Sequence, residues 1–261
     1  MRKILLSFLI ILHILPITAQ AATYQLPDIK PMIDALNPTE IEERLNSMPP
    51  SASLDNPLLQ LVNIDNQVEQ QPQPELTTFD GDKYFSVDIY QPLSDFIAAA
   101  ANQGYYLKVI SGFRTIEYQQ NNRANALNEY LAEGYSEADA LYLVNLFYAL
   151  PEASEHLTGL AVDLLSTDWL NTGQGLHQNY QYDASAIWMA DNASEFGFVL
   201  RYPDSKQEIT QIEFEPWHFR YVGLEHAAYM EKYNLVLEEY LAWIAYRDEV
   251  NTAMTTTTTE P

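Results

Sequence analysis

The chain has 261 residues, 47% of them hydrophobic and 12% aromatic, with no cysteine and a formal net charge of −23. That length holds one well-buried domain plus extensions but not two large domains, and the apolar content excludes wholesale disorder. The acidity argues against nucleic acid or an anionic membrane surface as a partner, and the lack of thiols leaves only His and carboxylates for any metal site.

Arg2 and Lys3 form a short basic start, Ile4 to Leu15 is apolar apart from His13, and Ala19-Gln20-Ala21 offers a small-x-small cleavage pattern. Residues 1–21 are therefore expected to be a secretory signal peptide, which places the mature protein in the secreted, periplasmic or cell-wall space with no stable membrane insertion. Residues 22–53 read as an N-terminal helical extension. Asn37-Pro38-Thr39-Glu40 can start a helix there, with Ile41, Leu45 and Met48 along one face. Gln67 to Leu76, rich in Gln and Pro, reads as an extended surface connection.

Beyond it, Leu93 to Gln103 predicts a helix, Tyr106 to Ser111 a strand, and Ile116 to Glu133 a helix ended by Gly134. Ser136 is expected to cap a further helix running to Leu150, with Asp139 as its capping partner. Leu160 to Leu165 predicts a buried strand, and Ala184 to Phe196 a helix closed by Gly197. Phe198 to Arg201, Gln211 to Phe214 and Trp217 to Val222 predict strands, and Glu225 to Lys232 and Leu237 to Tyr246 predict helices. Residues 247–261, with five consecutive Thr, are expected to form a disordered tail. Short strands among helices imply an α+β domain with an antiparallel sheet.

Three elements carry chemistry. Asp163 interrupts the apolar strand that follows Ser154-Glu155-His156-Leu157-Thr158-Gly159. A buried carboxylate needs a cationic partner, and a metal shared with His156 would serve, as would bonds to backbone amides. Gly159 allows a sharp turn between the two. In Glu215-Pro216-Trp217-His218-Phe219-Arg220-Tyr221, strand alternation puts His218 and Arg220 on one face and the aromatics on the other. Pro216 frees Glu215 to lean over a metal at His218, with Glu213 as its rival. Arg114, between a strand and a helix in Ser111-Gly112-Phe113-Arg114-Thr115, offers a bidentate fork suited to a free carboxylate or, equally, to surface acids. His177 and His226 read as surface residues.

Together, SGFRTIEYQ, SEHLTGLAVDL and EPWHFRYVG resemble the VanY-type zinc D-alanyl-D-alanine carboxypeptidases and the related L,D-carboxypeptidases. NPLLQLVN, FGFVLRYP and LEEYLAW support the resemblance, which covers residues 54–246. Phe113 stands where Tyr is common, and Glu152-Ala153 replaces a Gly-containing approach to SEH.

The resemblance implies a Hedgehog/DD-peptidase-like α+β fold whose small antiparallel sheet carries Zn2+ on His156, Asp163 and His218. It makes Glu215 the general base and then acid, Arg114 the anchor for the substrate's terminal carboxylate, and Gln119, Ser154 and Tyr202 substrate contacts. The implied reaction is removal of the C-terminal D-alanine from peptidoglycan stem peptides, D,D- or L,D-; a monomer is expected, but the sequence does not fix the oligomeric state. A wall-peptide endopeptidase or dipeptidase of the same superfamily and a non-catalytic wall-binding domain are the alternatives.

Overall fold

The protein is described over residues 24–257 by a computed structural model, and the predicted signal peptide at 1–21 lies outside the described residues. An N-terminal arm carries two short helices, α1 (Lys30–Asp34) and α2 (Pro38–Asn46). Asn37 starts α2 with a complete capping box: its side chain accepts from the Thr39 and Glu40 amides, while the Glu40 carboxylate accepts from the Asn37 amide. A small hairpin, β1 (Leu76–Thr77) and β2 (Phe85–Ser86), follows the Gln/Pro-rich stretch and is not anticipated by the sequence pattern. Then come α3 (Tyr90–Asn102), β3 (Leu107–Ser111), α4 (Ile116–Ala132), α5 (Glu137–Phe147), β4 (Ala161–Ser166) and α6 (Thr167–Leu170). The described chain closes with α7 (Ala184–Asn192), β5 (Phe198–Leu200), α8 (Gln207–Thr210), β6 (His218–Tyr221), α9 (Leu224–Lys232) and α10 (Leu237–Thr257).

Strands β3, β4, β6 and β5 form, in that order, one antiparallel sheet, so the α+β expectation holds. Every residue of β4 is buried, because both faces of this central strand are covered. Val162 and Leu164 face an apolar core with Phe96, Phe198 and Phe219. Phe219 meets the Phe96 ring edge-on at 5.7 Å. Asp163, His218 and Arg220 fall on the other face, as alternation requires.

Two expected segments need correction. Gln211–Phe214 is not a strand: Gln211 has φ +59° and ends α8, and the segment runs into the turn at Pro216. The alternation of Ile212 and Phe214 imitates a strand, but β6 already has β4 on one side and β5 on the other. The predicted disorder from residue 247 is also wrong as far as the described residues reach, because α10 continues unbroken to Thr257.

A second core explains the arm. Ile29, Met48, Ala52, Leu59 and Leu61 pack with Val222, Leu237, Leu241 and Trp243, so arm residues on both sides of position 53 share one apolar cluster with α10. His226 lies here, buried and not on the surface as expected. Its Nδ1 is 2.8 Å from the Tyr240 hydroxyl, and its Nε2 is 3.2 Å from both Ser51 Oγ and Asn56 Nδ2. Asn56 is oriented by its own bonds, with Oδ1 accepting from the Leu58 amide and Nδ2 donating to the Ser51 carbonyl. Nε2 therefore faces a donor and must accept, which places the proton on Nδ1.

Burial pushes the His226 pKa down, and Glu225 offsets this only in part. The unfolded chain then binds more protons than the folded one below the free histidine value of about 6.5, so stability contributed above that value is lost as pH falls. The drop in Tm between about pH 7.5 and about pH 5 is expected to be smaller in His226→Gln than in the wild type. Parallel Tm profiles for the two proteins would show that this ring is not the titrating group.

Candidate active site

The pairing of β4 with β6 sets Asp163 opposite His218. Directly opposed residues share a face, with Cβ atoms about 4.5–5.5 Å apart. His156 arrives from a single 3₁₀ turn, Glu155–Thr158, which Gly159 ends at φ +70°. A side chain at 159 would be strained at that φ, and its Cβ would sit 3.1 Å from the Ser86 amide nitrogen. The turn folds His156 back over the sheet until its Nε2 lies 3.4 Å from Asp163 Oδ2. One ligand atom from each of His156, Asp163 and His218 lies within 4.8 Å of the others, and all three residues are buried.

Hydrogen bonds fix which atoms face the centre. His156 Nδ1 is 2.7 Å from the Gly112 carbonyl, which can only accept, so Nδ1 carries the proton and Nε2 presents its lone pair. Gly112 itself packs against the backbone of Tyr84, where a Cβ would clash with the Tyr84 carbonyl oxygen. His218 turns Nδ1 toward the cleft, 3.4 Å from Asp163 Oδ1 and 3.1 Å from Glu215 Oε2. Asp163 Oδ1 is buried without a hydrogen-bond partner, a costly arrangement unless a cation completes it.

The surrounding charges act unequally on the two histidines. Burial, the largest influence on His218, would lower its pKa, yet Glu155, Glu215 and Asp163 outweigh it and raise the value to about 9. His156 goes the other way, to about 4, through burial and the nearby Arg114. Burial would raise the Asp163 pKa, but His156, Arg114 and His218 together hold it well below the ordinary carboxylate range. With the Nδ1 proton of His218 displaced by the metal, two imidazole nitrogens and an ionised carboxylate with an uncommitted oxygen form a donor set that fits Zn2+.

The site opens into a cleft of about 590 Å³ lined by all eight of the residues singled out from sequence: Arg114, Gln119, Ser154, His156, Asp163, Tyr202, Glu215 and His218. Glu215 is placed by a β-turn in which the His218 amide donates to the Glu215 carbonyl at 3.1 Å, with Pro216 at the second position. Burial raises the pKa of its carboxyl, partly countered by His218. Its rival Glu213 does not line the cleft.

Arg114 is bound at three points: Nε to Ser111 Oγ at 2.9 Å, Nη1 to Gln119 Oε1 at 3.3 Å, and Nη2 to Asp163 Oδ2 at 2.9 Å. Gln119 is itself buried and donates to the Ala149 carbonyl, so its visible work is to hold Arg114. Tyr202 is buried edge-on against His218, with ring centroids 4.7 Å apart. Tyr130 and Tyr148 add to the aromatic wall. His177 is exposed at the rim, as expected, where its Nδ1 accepts from the Asn179 amide.

Sequence reasoning missed the layer beneath. Glu155 is fully buried and accepts through Oε1 from Arg201 Nε at 2.7 Å and Arg220 Nη1 at 2.9 Å. Arg201 forks onto Glu238 of α10 with bonds of 2.9 and 2.7 Å. Arg220 donates to the Leu58 and Gln60 carbonyls of the arm. The available signal was two arginines in apolar strand segments, since buried guanidinium groups demand acids nearby.

Residues 82–224, more than half of the chain, match the VanY family, described as D-alanyl-D-alanine carboxypeptidase. A D-alanyl-D-alanine carboxypeptidase of Enterococcus faecalis is 38% identical over 181 residues, 69% of this chain and 64% of that protein. The chain thus spans just under two thirds of that relative's length. Among solved structures, a mutant of the vancomycin-resistance D,D-pentapeptidase VanY from a VanB-type cassette, in complex with Zn(II), aligns at TM-score 0.62 and 38% identity. That alignment covers 71% of this chain and 99% of that one. VanYB in complex with D-alanine-D-alanine aligns at TM-score 0.61 and 38% identity, covering 70% and 97%. The chain belongs to the VanY family of D-alanyl-D-alanine carboxypeptidases.

Proposed function

We propose that this chain is an exported zinc carboxypeptidase that removes the C-terminal D-alanine from peptidoglycan stem peptides. The observation that carries the proposal is the convergence of His156 Nε2, Asp163 and His218 Nδ1 in the cleft, with Glu215 3.1 Å from the ligating nitrogen of His218. Zn2+ held by these three residues supplies a Lewis acid that acidifies water and polarises a carbonyl. Glu215 takes the proton from the attacking water at Oε2 and returns it to the amine of the departing D-alanine. Arg114 fixes the terminal residue by its carboxylate, so that only the last peptide bond reaches the centre. Tyr202 holds the His218 ring, and Ser154, on the cleft wall beside His156, is placed to contact the peptide.

The basic, apolar and small-x-small pattern of residues 1–21 supports export to the cell-wall space. The charge of −23 supports the absence of a nucleic-acid or anionic-membrane partner.

Purified protein is expected to carry about one zinc per chain. Incubated with muropeptides, it is expected to shorten pentapeptides or tetrapeptides by one alanine, as read by mass spectrometry, and to stop when a chelator removes the metal. Internal cuts would replace the carboxypeptidase reading with the endopeptidase one, and full activity without divalent metal would end the zinc reading.

A further inference from the structure

We propose that Glu155 is a positioning residue of the metal centre, holding the His218 ring in the orientation and tautomer that present Nδ1 to the metal. The proposal rests on the zinc reading above and extends it to a residue outside the ligand set.

The two oxygens of Glu155 are used differently. Oε1 is taken by Arg201 and Arg220, whereas Oε2 is buried with no hydrogen-bond partner. His218 Nε2 is likewise buried and unpartnered, and the two unpartnered atoms face each other at 3.5 Å. That is about 0.5 Å beyond an ordinary N–H···O bond, a gap that a small ring rotation closes. His218 Nδ1 points the opposite way, toward Asp163 and Glu215. The ring thus has a cleft end and a protein end, and Glu155 is the group at the protein end.

Charge balance argues that this is more than a structural ion pair. Glu155 and Glu238 offset Arg201 and Arg220 within one buried network, so the network is neutral without His218. A purely structural carboxylate would be expected to spend both oxygens on its arginines, as Glu238 does on Arg201. Glu155 keeps one oxygen free and aims it at a ligand ring. A carboxylate there fixes the proton on Nε2 and strengthens Nδ1 as a donor. His156 has the weaker version, a backbone carbonyl at Gly112. Because Arg220 also binds the Leu58 and Gln60 carbonyls and Arg201 binds α10, the packing of both terminal segments sets where Glu155 sits.

The wild-type protein loaded with zinc gives the first test. Long-range ¹H–¹⁵N correlation spectra of His218 are expected to show metal on Nδ1 and a slowly exchanging, low-field proton on Nε2. Zinc on Nε2, or an Nε2 proton exchanging as freely as in water, overturns the proposal even if no variant folds.

The second test compares zinc Kd values, from chelator competition, in Glu155→Gln and Glu238→Gln. Both disturb the same buried network, but only the first touches His218. Glu155→Gln is expected to bind zinc about 10–100-fold more weakly, with Glu238→Gln close to wild type whatever its loss in Tm. Equal Kd values in Glu155→Gln and the wild type overturn the proposal alone. A wild type that binds no zinc overturns the metal centre and the proposal together.

Discussion

Glu215→Gln is expected to lower turnover by about 10²–10⁴-fold while leaving zinc content and Tm near wild type. The amide keeps the size and planarity of the carboxylate, so the turn at Pro216 and the packing around His218 persist. What it loses is the capacity to take a proton. Glu215 can be tested this cleanly because it lies beside the ligands without belonging to the three that converge. Glu213→Gln is the control: Glu213 sits two residues away but outside the cleft, and its loss is expected to be silent. Steady-state kinetics and metal analysis on the two variants decide the matter. A silent Glu215→Gln with an inactive Glu213→Gln would move the base to Glu213.

Local pattern pointed toward the ligands, and the family resemblance assigned them. Asp163 puts a charge in a strand otherwise made of Ala, Val, Leu and a final Ser166, and buried charge in such a place needs a partner. His218 lies on a strand whose period-2 alternation shows which neighbours share its face, and the register with β4 confirms the sharing. Gly159 marked the turn that brings His156 back. Glu155, by contrast, was hidden by its neighbours. Its partners Arg201, Arg220 and, through Arg201, Glu238 lie 46, 65 and 83 residues away in sequence, and no local periodicity links them.

His226 was misread for a similar reason. The start of a short helix after Gly223 looks exposed until the N-terminal arm, 170 residues earlier, covers it with Asn56. The false strand at Gln211–Phe214 shows the converse limit. Two alternating apolar residues suggest a strand, but only pairing along a sheet edge makes one, and this segment is bounded by the left-handed Gln211 and the turn at Pro216 instead.

Arg114 decides between a chain-end enzyme and one that cuts mid-chain. A terminal residue differs from an internal one by a free carboxylate, and a guanidinium is the group here that can read it. Three of its five N–H donors are engaged by Ser111, Gln119 and Asp163, which fixes the plane of the fork and leaves one N–H on each terminal nitrogen for substrate. Removing one partner of such a desolvated pair costs about 2–5 kcal/mol. C-terminal amidation of the peptide is therefore expected to lower wild-type kcat/KM by about 30-fold to a few thousandfold. Arg114→Ala is expected to be slow on the free acid and to narrow the gap between acid and amide. Arg114→Lys, which keeps the charge but loses the fork, should fall between. Zinc content belongs beside these kinetics, because Nη2 also touches Asp163. If Arg114→Ala slows acid and amide by the same factor, the guanidinium serves the scissile carbonyl instead of the terminal carboxylate. If the wild type cuts acid and amide at equal rates, the enzyme does not read chain ends, and the endopeptidase assignment replaces the carboxypeptidase one.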